Sequence, residues 1–75
     1  MRTMETREFE LNGEYVRLCD LLKLAGLATS GAHGKQRVAD GEVRVDGQVE
    51  SRKTAKIRAG QAVQCGGVRV MVVAK

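Results

Sequence analysis

Glycines at turn and helix-end positions divide this sequence into short segments, and that division limits what the chain can fold into. Three pairs are typical of tight turns: Asn12-Gly13, Asp46-Gly47 and Gly66-Gly67. Gly26 and Gly41 each follow a segment with helical signals, at a position where glycine commonly ends a helix. The sequence therefore predicts short helices and strands joined by tight turns.

The structural signals of the first forty residues change from strand to helix. Residues 7–11 alternate in polarity, which predicts a short strand. Four apolar residues then recur at helical spacing and predict a first helix over residues 16–25: Leu18, Leu21, Leu22 and Ala25. Ser30 is a favoured N-cap residue, so we expect a second helix over residues 30–40.

The remaining residues favour hairpins. Residues 43–45 alternate into the Asp46-Gly47 turn, and residues 63–65 and 68–73 flank the last glycine pair. The basic segment 51–59 has little periodicity, so we expect a loop with one short strand. The predicted fold class is α+β, with two helices (a helix-turn-helix) packed on a small, mostly antiparallel sheet with β-hairpins.

Positive charge is concentrated in the last third of the chain. The net charge is +4 and the pI about 9.5. Residues 51–75 contain six basic residues and no acid, whereas residues 1–50 hold all nine acids. Such asymmetry favours a polyanionic partner. A basic surface that serves only solubility is the alternative.

Several functional classes are not expected for this chain. Cys19 and Cys65 with a single histidine are too few for a zinc site, and we expect them to be reduced thiols in or near the core. We find neither a catalytic Ser/His/Asp set nor a phosphate-binding loop, so an enzyme is not predicted. Without a signal-like or membrane-length apolar run, we expect a cytoplasmic protein with no membrane or cofactor partner.

A set of residues spread over two-thirds of the chain carries a family resemblance. In order, they are Arg17-Leu18, Leu22, Gly26, Ser30, Lys35, Val38, Gly41, Val43, Val45-Asp46-Gly47 and Gly60-Gln61-Ala62-Val63. Together they resemble the S4-like RNA-binding domain, also called the αL motif. The resemblance implies a motif core over residues 16–63 within a single domain of residues 1–75, similar to the small stand-alone bacterial members.

The resemblance implies a non-enzymatic protein that binds structured RNA, ribosomal or transfer, in association with the ribosome. A monomer is the default expectation for its oligomeric state. The residues expected to contact RNA are Arg17, Ser30, Gly31, Lys35, Arg37, Arg44, Arg52, Lys53, Lys56 and Arg58. With only Phe9 and Tyr15 as aromatics, no base-stacking platform is expected, and shape and phosphate recognition fit better. Arg2 and Arg7 lie among glutamates and are not expected to take part.

Each expected contact has a simpler structural alternative. Ser30 can be a helix cap alone, Lys35 can lie on a solvated helix face, and Arg37 can cover apolar surface with its stem. Arg44 can be the exposed half of a strand. The loop from Arg52 to Arg58 has the weakest alternative, because it contains no acid.

A protein-interaction module for an acidic, ribosome-associated partner is the second functional candidate. A small sulfur-carrier protein is disfavoured because Gly66-Gly67 is internal.

Two glycines are unusual inside a predicted helix, where each costs about 0.5–1 kcal/mol relative to alanine. We expect Gly34 to mark close packing against the first helix, and Gly31 to let a phosphate approach the backbone. Gly31 also departs from the family pattern, in which a basic residue usually follows the serine. Because the family usually carries alanine at the position of Gly34, Gly34→Ala is expected to be neutral or helpful.

Overall fold

Two helices lie on one face of a five-stranded sheet. The computed structural model describes residues 4–75. In that range the elements follow one another as β1 (Glu5–Leu11), β2 (Val16–Arg17), α1 (Leu18–Leu24), α2 (Gly31–Ala39), β3 (Val43–Val45), β4 (Gln48–Val49), β5 (Lys56–Ile57), β6 (Ala62–Cys65) and β7 (Val68–Ala74). The predicted α+β class with a helix-turn-helix is confirmed.

The main sheet has the strand order β1-β7-β6-β3-β4, and all its neighbours are antiparallel except β1 and β7. Both predicted hairpins are present, with β3 and β4 joined at Asp46-Gly47 and β6 and β7 joined at Gly66-Gly67. Strands β2 and β5 form a separate antiparallel pair. The sheet is therefore mostly antiparallel, as predicted.

The strand register decides which face of the main sheet is covered. Val45, Val63 and Val70 are cross-strand neighbours and so point to one face. Leucines of α1 and Val38 of α2 join them in an aliphatic core. The other face of the sheet, called the outer face below, carries Arg44 and the residues beside it.

The first helix is shorter than predicted, because its first two expected residues are extended. Val16 and Arg17 pair with β5 instead of entering the helix. The backbone N–H of Leu18 then donates to the carbonyl of Ala55 at 2.9 Å. A tertiary partner thus satisfies an N–H group that a helix leaves unpaired at its start. Gly26, with φ at 79°, ends the α1 region as expected.

Gly34 marks close packing between α1 and α2, as predicted. A Cβ at this position would lie 2.6 Å from the carbonyl oxygen of Cys19. The expectation that alanine would be tolerated there is wrong, because the neighbouring atom belongs to the backbone of α1 and cannot turn away. Gly31 differs, since a Cβ there would meet open space.

Arg7 has a structural role that could not be recognised in the sequence, where it lies among glutamates. Its side chain donates to the carbonyl of Ala25 at 2.6 Å, at the end of α1, and pairs with Glu5. A cation at a helix C-terminus satisfies an unpaired carbonyl and complements the helix dipole. Arg2 lies outside the described residues.

Candidate nucleic-acid interface

The basic loop, residues 52–58, is held by its backbone against the start of α1. The N–H of Cys19 donates to the carbonyl of Lys53 at 3.1 Å, one residue after the bond from Leu18 to Ala55. Lys56 continues the attachment as the cross-strand partner of Arg17. The loop is therefore placed by main-chain bonds, which leaves its basic side chains free to face solvent.

Cys19 also connects this loop to α2. Its carbonyl is the group that approaches Gly34, while its N–H is bonded to Lys53. Lys35, the residue after Gly34, is exposed. The start of α1, the middle of α2 and the basic loop thus meet around one residue.

Among residues 4–75, the first turn of α2 has backbone N–H groups without a backbone acceptor. Ser30 caps the helix, its Oγ accepting from the N–H of His33 at 3.1 Å, as predicted. The N–H groups of Gly31 and Ala32 come before any carbonyl of the same helix that they could reach. His33 also joins the cap, because its Nδ1 accepts from the N–H of Thr29 at 3.0 Å.

Five of the predicted cations are exposed and have no carboxylate within 4.0 Å among residues 4–75: Lys35, Arg44, Lys53, Lys56 and Arg58. An unpaired, solvated ammonium or guanidinium can bind a phosphate without first breaking an ion pair. The basic loop holds three of these five exposed cations.

Two other predicted residues are exposed but paired. Arg17 bonds Asp20 at 2.8 Å, and Arg52 bonds Glu50 at 2.9 Å. Glu50, just before the loop, thus neutralises Arg52, contrary to the expectation that no acid does so in this segment. Hydrogen bonds from Arg52 lower the pKa of Glu50 to about 2. Exposed ion pairs are weak because water and salt screen them, so either arginine can exchange its partner for a phosphate.

Arg37 is a structural residue in this fold. Its side chain is only 22% exposed, and it donates to the carbonyl of Leu27 at 2.7 Å. Its Nη2 also lies 3.6 Å from a carboxylate oxygen of Glu42. The same guanidinium sits 2.9 Å from where a Cβ on Gly66 would be. The alternative that Arg37 covers internal surface fits these contacts better than a phosphate contact.

Arg44 does not share a face with the helices. It lies on the outer face, opposite Gln64 and Val49, and Gln64 is in turn opposite Arg69. The predicted set is therefore divided between two surfaces, with the basic loop and α2 on one and Arg44 on the other. Sequence reasoning did not single out Arg69, because only the register places it beside Arg44.

Tyr15 is a second residue that the sequence did not single out. It is 43% exposed, and the Nζ of Lys56 lies 4.9 Å from its ring centroid. Nothing in the local periodicity marks Tyr15. Its neighbour Lys56 is 41 residues away along the chain, and only the pairing of β2 with β5 brings them together.

The described residues give little support to a metal site, a disulfide or a membrane-spanning helix. Within residues 4–75, no three His, Cys, Asp or Glu side chains come close enough to hold a metal ion. Cys19 and Cys65 are buried free thiols, and burial raises the pKa of Cys65. Neither helix in this range has the length and apolar character needed to cross a bilayer.

Comparisons with known proteins agree with this architecture. Residues 9–73 match the sequence model of the S4 domain. YbcJ of Escherichia coli (strain K12) is 57% identical over 60 residues, which cover 80% of this chain and 86% of YbcJ. The tyrosine–tRNA ligase of Ralstonia nicotianae is 37% identical over 62 residues, which cover 83% of this chain and 16% of the ligase.

The solved structures include a similar fold. The solution structure of YbcJ from E. coli, whose αL motif is described as involved in RNA binding, matches with a TM-score of 0.67 and 50% identity. The match covers 99% of this chain and 92% of the YbcJ chain. The architecture, the match to the family over most of the sequence and the similarity to YbcJ together show that this chain belongs to the S4 domain family.

Proposed function

We propose that this chain is a non-enzymatic RNA-binding protein of the cytoplasm that holds folded ribosomal or transfer RNA by its phosphates. The observation that carries the proposal is the basic loop, whose backbone is bonded to α1. Its Lys53, Lys56 and Arg58 side chains stay exposed and have no carboxylate partner in the described chain. The αL motif of YbcJ, described as involved in RNA binding, supports the same conclusion.

The geometry favours phosphates over base edges. Phosphate contacts need positive charge at fixed positions, and they carry no sequence information themselves. The main-chain bonds of the loop supply the fixed positions, and the open first turn of α2 can add backbone donors beside Lys35. Arg17 and Arg52 extend the surface when they exchange their carboxylate partners. We place Arg37 outside this surface because its guanidinium is used internally.

The proposal is tested by salt titrations of affinity for a folded RNA. Lys53→Ala and Lys56→Ala should each weaken binding to all structured RNAs about equally. Each should also flatten the slope of log affinity against log salt by about one unit. The matched control is Lys23→Ala, because Lys23 is also exposed but lies in the last turn of α1, at the end away from the basic loop.

Equal losses and equal slopes for the Lys23 and Lys53 variants would show that only diffuse charge is involved. A further experiment tests whether the partner is a protein instead of RNA. If complexes recovered from an extract survive ribonuclease, an acidic ribosome-associated protein replaces RNA as the partner. Thermal melts of each variant confirm folding, because exposed Lys→Ala changes usually alter the free energy of unfolding by less than about 0.5 kcal/mol.

A further inference from the structure

An aromatic ring stands among the cations at the edge of the basic loop. Tyr15 directly precedes β2, and the ammonium of Lys56 lies 4.9 Å from its ring centroid. Arg17, two residues after Tyr15 in the sequence, is the cross-strand partner of Lys56. One ring and two long cationic side chains are thus grouped on two short paired strands.

The Tyr15 ring is not needed by the core. Tyr15 is 43% exposed, and the core of the described residues is built from aliphatic side chains and Cys65, with Phe9 as the aromatic packed against it. Its hydroxyl makes no hydrogen bond to the part of the chain that the structure describes. A large ring left at the surface without a packing role is available to a ligand.

We propose that Tyr15 is a stacking site for one unpaired base of the bound RNA, with Lys56 and Arg17 holding the phosphate beside that base. This departs from the sequence-based expectation of no stacking platform, because only the pairing of β2 with β5 shows an exposed ring beside cations. This inference rests on the proposed RNA-binding function and adds a contact that distinguishes unpaired from fully paired RNA. Lys56 also lines an open depression, together with Arg52, Thr54 and Ala55, and we place the neighbouring nucleotides there.

A base can replace the Lys56 ammonium on the Tyr15 ring only if stacking is stronger than the ammonium–ring contact. An ammonium over an exposed ring favours the contact by a factor of about 2 to 5 in an equilibrium constant. Stacking of a base on an aromatic side chain is worth a factor of about 5 to 150. The base therefore displaces the ammonium, and the flexible side chain of Lys56 can then reach a phosphate of the same nucleotide.

The chain carries its own reporter for this contact. Tyr15 is its single tyrosine, and there is no tryptophan. Tyrosine emission is therefore specific for the proposed site and should be quenched when a base stacks on the ring. The probes are a synthetic RNA hairpin with an unpaired loop and a blunt, fully paired RNA with the same stem. We expect both to bind, and only the looped hairpin to quench.

Two substitutions separate stacking from other roles. Tyr15→Leu should lower affinity for the looped hairpin about 5- to 150-fold and leave affinity for the paired RNA unchanged. Tyr15→Phe keeps the ring and should retain the wild-type affinity for both RNAs. The salt slope of Tyr15→Leu should match the wild type, because no phosphate contact is removed. Thermal melts establish that the variants are folded.

The possible failures are distinguishable. If both RNAs bind without quenching, or if Tyr15→Leu weakens both equally, the stacking site is wrong and the phosphate-binding surface remains. If Tyr15→Phe loses as much affinity as Tyr15→Leu, the ring does not stack and the hydroxyl is the group that matters. If neither RNA binds the wild-type chain, the proposed function fails, and the stacking site fails with it.

Discussion

Glu50 and Arg52 show how one pair of residues makes stability depend on pH. Hydrogen bonds from the side chain and backbone of Arg52 lower the pKa of Glu50 from 4.5 to about 2. A carboxylate with a lowered pKa in the folded state stabilises the fold above pH 4.5, and this contribution is lost as the pH falls toward 2. We expect Glu50→Gln to be less stable than the wild type near neutrality, with the difference shrinking over that range.

Denaturant unfolding at a series of pH values measures this difference. Glu14→Gln is the control, because Glu14 is exposed and makes no ion pair among the described residues. A difference between the wild type and Glu50→Gln that stays constant from pH 7 to pH 2 would contradict the linkage. The ion pair leaves Arg52 accessible to other anions, because the Arg52 side chain remains 78% exposed.

The contact between the two helices depends on the absence of a side chain at Gly34. Gly34→Ala improves helix propensity by about 1 kcal/mol at most. The new Cβ would lie 2.6 Å from the carbonyl oxygen of Cys19, so the helices would have to separate. We expect a net destabilisation of about 1–3 kcal/mol, measured by thermal or denaturant unfolding.

Gly31→Ala is the matched control for this prediction. It makes the same chemical change in the same helix, but its Cβ would meet open space. We expect it to be neutral or to stabilise the fold by up to about 1 kcal/mol. If both alanine variants are equally stable, α1 and α2 can move apart at no cost and the close contact is not important.

Across the whole molecule, positive charge lies on two surfaces that differ in their neighbours. The outer face carries Arg44 and Arg69, but the register of β1 with β7 also places Glu8 and Glu10 on that face. These carboxylates repel phosphates, whereas the basic loop contains no acid. We therefore expect Arg44→Ala to weaken RNA binding less than Lys53→Ala and to change the salt slope less.

The same salt titration decides between one RNA-binding surface and two. An equal effect of Arg44→Ala and Lys53→Ala would mean that RNA reaches around the sheet onto the outer face. Arg69→Ala then becomes informative, because Arg69 lies beside Arg44 across Gln64. A smaller loss at both arginines would restrict the interface to the basic loop and the helices.

The sequence by itself determined the two helices, the first strand, both hairpins and their order, but not the strand β2. Turn-forming glycine pairs, the helical spacing of leucines and the N-cap at Ser30 are local signals, and each acts through neighbours only a few residues away. Such signals do not depend on the rest of the fold. For the same reason the close approach at Gly34 could be expected, since a helix-interior glycine needs compensation nearby.

Only the tertiary structure decided which basic residues are available. Arg37 and Lys35 lie on the same short helix, yet the carbonyl of Leu27 holds Arg37 inside while Lys35 stays exposed. Arg44 was separated from the basic loop by strand register, which no local pattern reveals. Tyr15 gained Lys56 as a neighbour through the pairing of β2 with β5. Charge and ring positions depend on contacts between distant segments, and those contacts exist only once the chain has folded.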